Sequence, residues 1–448
     1  MDLKEIATDV VKRAMKAGAT ACEAVVAEGT EFGTVVRLGE VETLKESGSK
    51  AMGVRVFFGQ RAASTYSSDF ASDAINKMVD SAISLAKVTS EDPHAGLPQP
   101  EEQGQIEGDL DLYYEDVYSL STEDRIDYAR RAEKAALAVD KRITNSEGGS
   151  FDAATGGKVL ANSNGFVGEY RRSYCSVSAV PVAQTDGGSM QRDYWYSVAR
   201  SLGRLDSPED VGRIAAERTI RRLGGRKVKT QKVPIVFDSQ VSKSLLGEIC
   251  DAVNGDSIYR GASFLAGKLG EKIAGENITV IDDGTMTGGF GTSPFDSEGV
   301  PTRRTVVIER GELKSYLLNT YTAKKLKLKT TGNASRGLAG NPGIGAGNFY
   351  LEPGEKSPKE IMADIKEGLL VTEFLGFGVN LVTGDFSRGA SGLWIVNGEP
   401  TFPVEEITVA GNLKDMLFNI SAIGKDLEFR GAVACPTLRI EGMTVAGE

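Results

Sequence analysis

The chain of 448 residues contains one histidine, His94, and that scarcity excludes more chemistry than any other feature. A zinc site built on two or three histidines cannot be assembled within it, and a Ser-His-Asp triad would have to use His94 alone. His94 follows Pro93 in Glu91-Asp-Pro-His-Ala-Gly96, which reads as a solvated loop. Cysteine is nearly as sparse. Cys22, Cys175, Cys250 and Cys435 lie far apart with no Cys-x-x-Cys pair, so they read as reduced thiols. No run approaches the roughly 18 apolar residues of a membrane span. The mixed-charge opening Met1-Asp-Leu-Lys-Glu5 is not a secretory signal, and the cytoplasm is the expected compartment, with no membrane partner. Positive charge is in deficit: the net charge of −10 argues against direct nucleic-acid binding. No P-loop, His-Glu-x-x-His or Gly-x-Ser-x-Gly is present, and Gly343-Ile-Gly345-Ala-Gly347 lacks the strand-then-helix setting of a dinucleotide site.

Glycine, by contrast, is abundant at 53 residues, well above the ordinary share of about 7%. Many turns and substantial β content follow. The length exceeds what one core supports, so two domains are expected. Leu3, Ile6, Ala7, Val10, Val11 and Ala14 recur at helical spacing before Gly18. Strands are expected at 22–27, 34–38, 41–46, 51–58 and 63–66, separated by turns. A helix over 72–87 would bury Ile75, Met78, Val79, Ala82 and Leu85, and 92–108 reads as an exposed connection. Ser121-Thr-Glu-Asp124 is a capping box opening a helix to about residue 139. Strands over 158–161, 166–170, 174–182 and 193–198 follow, with Asn164-Gly165 and Asp186-Gly187-Gly188 as hairpin signals. A helix starts at Ser207-Pro208 and stops at Gly224. Arg221, Arg222, Arg226, Lys227, Lys229 and Lys232 lack interleaved aromatics and read as a solvated linker. The domains are therefore drawn as 1–225, an antiparallel sheet with helices, and 226–448, a strand-rich mixed domain.

In the second domain Val233-Pro-Ile-Val-Phe237 is a strand, and Asp238 caps a helix with Val241, Leu245, Ile249, Ala252 and Val253 on one face. Strands are expected at 278–281, 305–309 and 313–318, the last two joined by Arg310-Gly311. A helix runs from Ser357-Pro358 toward 366. Strands over 376–403 are broken at Gly384-Asp385, Gly389-Ala390 and Asn397-Gly398, and a helix over 416–423 and a strand over 437–440 close the chain. Neither half shows sustained βαβ alternation, so the fold class is α+β. Asp282-Asp283 and Asp296-Ser297-Glu298 are read as turn-forming and capping carboxylates, with a hard-cation site as the alternative. Glu248 and Cys250 do not share a helix face, so Cys250 is assigned to core packing.

Gly261-Ala-Ser-Phe264, Gly267-Lys-Leu-Gly-Glu271, Asp282-Asp-Gly-Thr285, Phe295-Asp-Ser-Glu-Gly-Val-Pro301 and Thr331-Gly-Asn333 occur in order. Gly376-Phe-Gly378, Thr383-Gly-Asp-Phe-Ser387, Pro403-Val404, Thr437-Leu-Arg-Ile440 and Met443-Thr-Val-Ala-Gly447 follow them. This series resembles the TldD/PmbA family, also called modulators of DNA gyrase. The resemblance is strong over 233–447 and looser before it. It implies a zinc-dependent peptidase of two related subunits that acts on peptides and unfolded segments. TldD-type chains carry His-Glu-x-x-x-His on the helix after the first strand of the second domain. Those histidines and a later cysteine bind zinc, and the glutamate is the general base. Here Gly247 and Ala252 stand at the histidine positions, Glu248 stands at the glutamate position, and Cys435 does not match the ligand cysteine. No catalytic, cofactor-binding or metal residue carries over beyond that placement of Glu248. The expectation is a non-catalytic TldE (PmbA)-type subunit, a heterodimer-forming pseudoenzyme, with zinc in a TldD-type partner; homodimer formation without that partner stays open. One alternative is an independent metallopeptidase using Glu248, Cys250, Asp251 and Asp256. The other is a modulator that binds gyrase as a protein.

Overall fold

Alternation along Ala21–Arg37 (β1) sets the layout of the N-terminal half. Cys22, Ala24, Val26, Phe32 and Val36 are buried beneath helices on one face, whereas Glu23 and Val25 turn to the other. The remaining strands of this half are Glu40–Phe58 (β2), Arg61–Ser67 (β3), Ile143–Asn162 (β4), Val167–Gln184 (β5), Met190–Arg192 (β6) and Trp195–Ala199 (β7). In this computed structural model, which describes residues 2–185 and 188–448, they form one antiparallel sheet ordered β3-β2-β1-β4-β5-β6, with β7 also on β5. Helices Leu3–Lys16 (α1) and Ser72–Val88 (α2) cover one end of a single face, and Thr122–Ala138 (α3) and Pro208–Ile220 (α4) cover the other end.

Several expected breaks are absent. β1 and β2 pair continuously from Ala21↔Phe57 to Arg37↔Glu40, so residues 28–33 and 47–50 are strand and not turn. Gly29, Gly33 and Gly48 stay in the ladder because their backbone groups are paired. The true turn is Leu38-Gly39, with φ of 49° and 86°, as a type I′ hairpin demands. β4 starts 15 residues before the expected 158, running through Gly148-Gly149 and Gly156-Gly157. Gly149 is where α3 rests on the strand: a Cβ there would lie 2.1 Å from the Ala129 carbonyl oxygen. β5 runs unbroken through 171–173. In α2, Leu85 is 48% exposed, and Ile83 and Ala86 take the inward positions. The capping box at Ser121 and Asp124 forms as expected. Of the hairpin Asp186-Gly187-Gly188, the first two residues lie outside the described residues.

The second half opens with Gln231–Phe237 (β8), Ser239–Ala252 (α5), Gly255–Tyr259 (α6), Val280–Asp283 (β9), Arg304–Glu309 (β10), Glu312–Leu313 (β11) and Thr320–Leu326 (α7). Ala334–Ser335 (β12), Gly343–Ile344 (β13), Asn348–Leu351 (β14), Pro358–Met362 (α8), Glu367–Leu375 (β15), Val379–Asn380 (β16) and Asp385–Val396 (β17) come next. Glu399–Asn412 (β18), Leu413–Phe418 (α9), Ile420–Ile423 (β19), Val433–Ala434 (β20) and Leu438–Ala446 (β21) complete it. Strands β15, β8, β21, β18 and β17 close on themselves, because β17 pairs with β15 as well as β18. Only the β8–β15 pairing in that ring is parallel. A second sheet, β11-β10-β9-β14-β20, lies apart, and one apolar core joins both sheets to α5.

Here too some expectations fail. The apolar run 313–318 is strand only at its start; Tyr316, Leu317 and Leu318 are buried as loop, and Asn319 then caps α7, which periodicity does not reveal. Gly389-Ala390 lies inside β17, since both residues pair with β15 and β18. The stretch 416–423 splits into the end of α9 and β19, and α8 ends at Met362. The basic run is exposed at Arg226, Lys227, Lys229 and Lys232, as a solvated linker would be, but it is tied to β18. Arg226 stacks 3.7 Å from the Phe402 ring centroid, and Lys227 pairs with Glu406 at 3.1 Å. Among the described residues no helix is long and apolar enough to cross a membrane.

Candidate functional site

Helix α5 is anchored through its N-terminal turn and its core-facing side. Asp238 accepts a hydrogen bond from the Gln240 N–H, and Val241, Leu245, Ile249 and Ala252 seat one face in the core. The buried Ser242 hydroxyl donates to the Pro436 carbonyl at 2.7 Å, which anchors the helix to the chain leading into β21. On the outer face Gln240, Ser244 and Glu248 follow at i, i+4 spacing. A cleft of about 220 Å³ opens along Gln240 and Ser244, walled by Trp195, Tyr196, Phe374 and Arg388.

Arg388 on β17 organises this face. Its guanidinium donates to Ser244 Oγ at 2.9 Å and to the Gly376 carbonyl at 3.0 Å, and it lies 4.5 Å from the Phe374 ring centroid. Its Nη1 is 4.0 Å from Glu248 Oε1. Burial raises the Glu248 carboxyl above its ordinary range, and Arg388 works in the opposite direction. The counter-charge of Glu248 is thus supplied by the chain itself. Nothing in the sequence pattern singles out Arg388, because its partners on α5, Ser244 and Glu248, sit 140 or more positions away.

The donor set does not fit zinc. A catalytic zinc takes three protein donors from His, Cys and carboxylate. Position 247 is a glycine facing open space, and Ala252 is fully buried in the core. Cys435 is buried, and its thiol is pushed up to about 12 by that burial, far from the thiolate that binds metal. The quartet Glu248, Cys250, Asp251 and Asp256 is not brought together either. Cys250 packs against the core with its thiol raised to about 12, Asp251 is exposed, and Asp256 pairs with Arg260 at 3.3 Å. Among the described residues no group of three His, Cys, Asp or Glu side chains could hold a metal ion. His94 stays in its loop, where Asp92 accepts from its backbone N–H and from the Tyr321 hydroxyl.

The acidic-glycine motifs build a different place. Asp283 accepts from the Thr285 N–H and hydroxyl, and Asp296 accepts from the N–H groups of Glu298, Val300 and Ala334. Glu298 accepts from the Thr320 N–H at the start of α7. These are turn and capping roles, carried out in the interior: Asp282, Asp296 and Glu298 are 2%, 6% and 1% exposed. Asp282 accepts from the Asn333 amide at 2.7 Å through Oδ2 alone. Burial pushes its carboxyl up to about 6, although the Asn333 amide and the approach of the Gly347 N–H favour the charged form.

That shift has a sign. An acid whose folded-state pKa is raised binds its proton more tightly folded than unfolded, so its contribution is full below the unfolded value and is lost as pH rises through the folded one. From pH 4 to 7, Asp282 is expected to withdraw about 2–3 kcal/mol of stability. Asp296 and Glu298, raised by burial, act in the same direction. Urea midpoints across that range should fall less steeply in Asp282→Asn than in the unaltered chain.

Three family models match successive stretches: PmbA/TldA metallopeptidase domain 1 over residues 22–86, the central domain over 115–223 and the C-terminal domain over 230–447. Metalloprotease PmbA of Escherichia coli O157:H7 is 39% identical, over 95% of this chain and 92% of that protein. A crystal structure from Bacteroides thetaiotaomicron, described as a candidate modulator of DNA gyrase, superposes with a TM-score of 0.93 at 28% identity over 99% of both chains. TldE from Thermococcus kodakarensis has the same fold, with a TM-score of 0.87 at 22% identity over 99% of this chain and all of that one. With its fold and its ordered motifs in agreement, the chain belongs to the PmbA/TldD family of metallopeptidase-related proteins.

Proposed function

We propose that this chain is the non-catalytic, TldE/PmbA-type subunit of a two-subunit zinc peptidase that cleaves peptides and unfolded segments. The observation that carries this reading is the face of α5. Positions 247 and 252 offer no donor, and Glu248 has Arg388 as its counter-charge. The zinc and its activated water would then belong to a TldD-type partner bearing His-Glu-x-x-x-His, and Glu248 holds α5 against β17. The scatter of Glu248, Cys250, Asp251 and Asp256 speaks against an independent metal site, and the family's gyrase name by itself assigns no contact. Copurification from cells that also contain a TldD-type chain tests the pairing. The tagged chain should retain that partner near one to one, and Glu248→Gln should leave the pair's peptide cleavage unchanged. A chain that elutes without the partner, or a pair inactivated by Glu248→Gln, contradicts the proposal.

A further inference from the structure

Between the two halves lies a second cavity, of about 190 Å³, which the face of α5 does not use. Lys158 and Tyr170 and Arg172 of β4 and β5 form one side; Asp282, Ser297 and Arg336 contribute to the other. Its volume holds roughly six waters at about 30 Å³ each, which suits a ligand the size of one amino-acid residue and nothing as large as a nucleotide. Four cationic side chains line it, Lys158, Arg172, Arg303 and Arg336, against two carboxylates, Asp282 and Asp296. Glu23 behind the wall offsets Arg336, and the surplus remains positive.

The polar groups are incompletely used. Lys158 Nζ donates to Ser297 Oγ at 3.2 Å, which leaves two of its three N–H groups for other acceptors. Arg336 has a side chain 2% exposed, and its Nε has no partner. Asp296 accepts from three backbone N–H groups, whereas Asp282 Oδ1 is buried and makes no hydrogen bond, the nearby Gly347 N–H falling short of one. A buried polar atom left without a partner costs free energy, so the cavity presents unmet donors and one unmet acceptor together. Burial together with the charges of Arg336 and Arg172 pushes the Lys158 ammonium down to about 8, which is the strain an incoming anion relieves.

We propose that this cavity binds a small carboxylate bearing an N–H donor, with the carboxylate on Lys158, Arg172 and Arg336 and the N–H on Asp282 Oδ1. An α-amino acid has this chemistry, and so does the C-terminal residue of a peptide, whose amide N–H takes the place of the ammonium.

Calorimetric titration of the full chain tests it with L-alanine, N-acetyl-L-alanine, L-alaninamide, acetate and inorganic phosphate. At least one of the first two should bind saturably, and about tenfold or more tightly than acetate, which lacks the donor. Alaninamide should not bind. Preference for L-alanine identifies a free amino acid as the ligand, and preference for N-acetyl-L-alanine identifies a peptide end. Asp282→Asn should erase the margin over acetate. Arg172→Gln, at an exposed rim position that leaves the fold intact, should weaken every carboxylate. Absence of saturable carboxylate binding overturns the proposal, as does phosphate binding equal to that of both alanine compounds and insensitive to Asp282→Asn.

Discussion

Glu23→Gln is expected to lower the unfolding free energy by about 3–5 kcal/mol, the cost of removing one member of a buried ion pair. Glu23 has no solvent exposure. It forms an ion pair with Arg55 at 2.6 Å and accepts a hydrogen bond from Arg336, whose side chains are 6% and 2% exposed. Glu298, 3.9 Å from Arg55, is the next carboxylate in line. With Glu23 neutral, two guanidinium groups face one another in the interior with little to offset them. Arg336 reaches this point from the second half, 313 positions along the chain, so the substitution also weakens the seam between the halves. Urea denaturation measures the loss, and a change below about 1 kcal/mol, the scale of a solvent-exposed pair, contradicts the argument. Glu23→Leu combined with Arg336→Met should cost less than the sum of the two single changes, because Glu23→Leu alone leaves Arg336 and Arg55 buried together, and removing Arg336 as well relieves that repulsion.

Phe295→Ala should destabilise by a similar amount, about 3–5 kcal/mol, through lost burial and the cavity left behind. Phe295 is 1% exposed and is the apolar member that the Phe295-Asp-Ser-Glu-Gly-Val-Pro301 motif sends into the sheet of the first half. It packs on Val25 and Leu160 and meets Phe166 and Tyr170 edge-on, with centroids 5.2 and 5.4 Å apart. The site cannot collapse easily, since the ladder of β1, β4 and β5 holds the opposite wall. Gly168 belongs to the same contact: a Cβ there would lie 2.5 Å from the Phe295 ring. Phe295→Leu, which keeps most of the volume, should lose clearly less in the same urea experiment.

Local signals made much of this molecule readable. Periodicity and caps place α1, α3, α4 and α5, and Arg310-Gly311 does turn a hairpin, with φ of 47° and 82°. The failures arise where long-range pairing overrides local composition. Gly29, Gly48 and Gly156 look like breaks, yet cross-strand bonds carry β1, β2 and β4 straight through them. Closure of the β8 ring depends on β17 meeting β15, which no stretch of sequence announces. The site divides in the same way. The missing donors at 247 and 252 are visible in the order of residues alone, whereas Arg388 beside Glu248 is visible only once β17 is folded against α5. A charge in an apolar alternating strand was a usable signal: Glu23 among Ala21, Cys22, Ala24 and Val25, and Arg55 between Val54 and Val56, mark the buried ionic seam.

The central claim is that α5 keeps the family scaffold without a metal site of its own. Zinc content and peptide cleavage, measured on the purified chain alone and again with a TldD-type chain added, test it most directly. The expected result is no stoichiometric zinc and no turnover for the chain alone, and one zinc per pair with cleavage once the partner is present. Stoichiometric zinc together with robust peptide turnover in the isolated chain would contradict it.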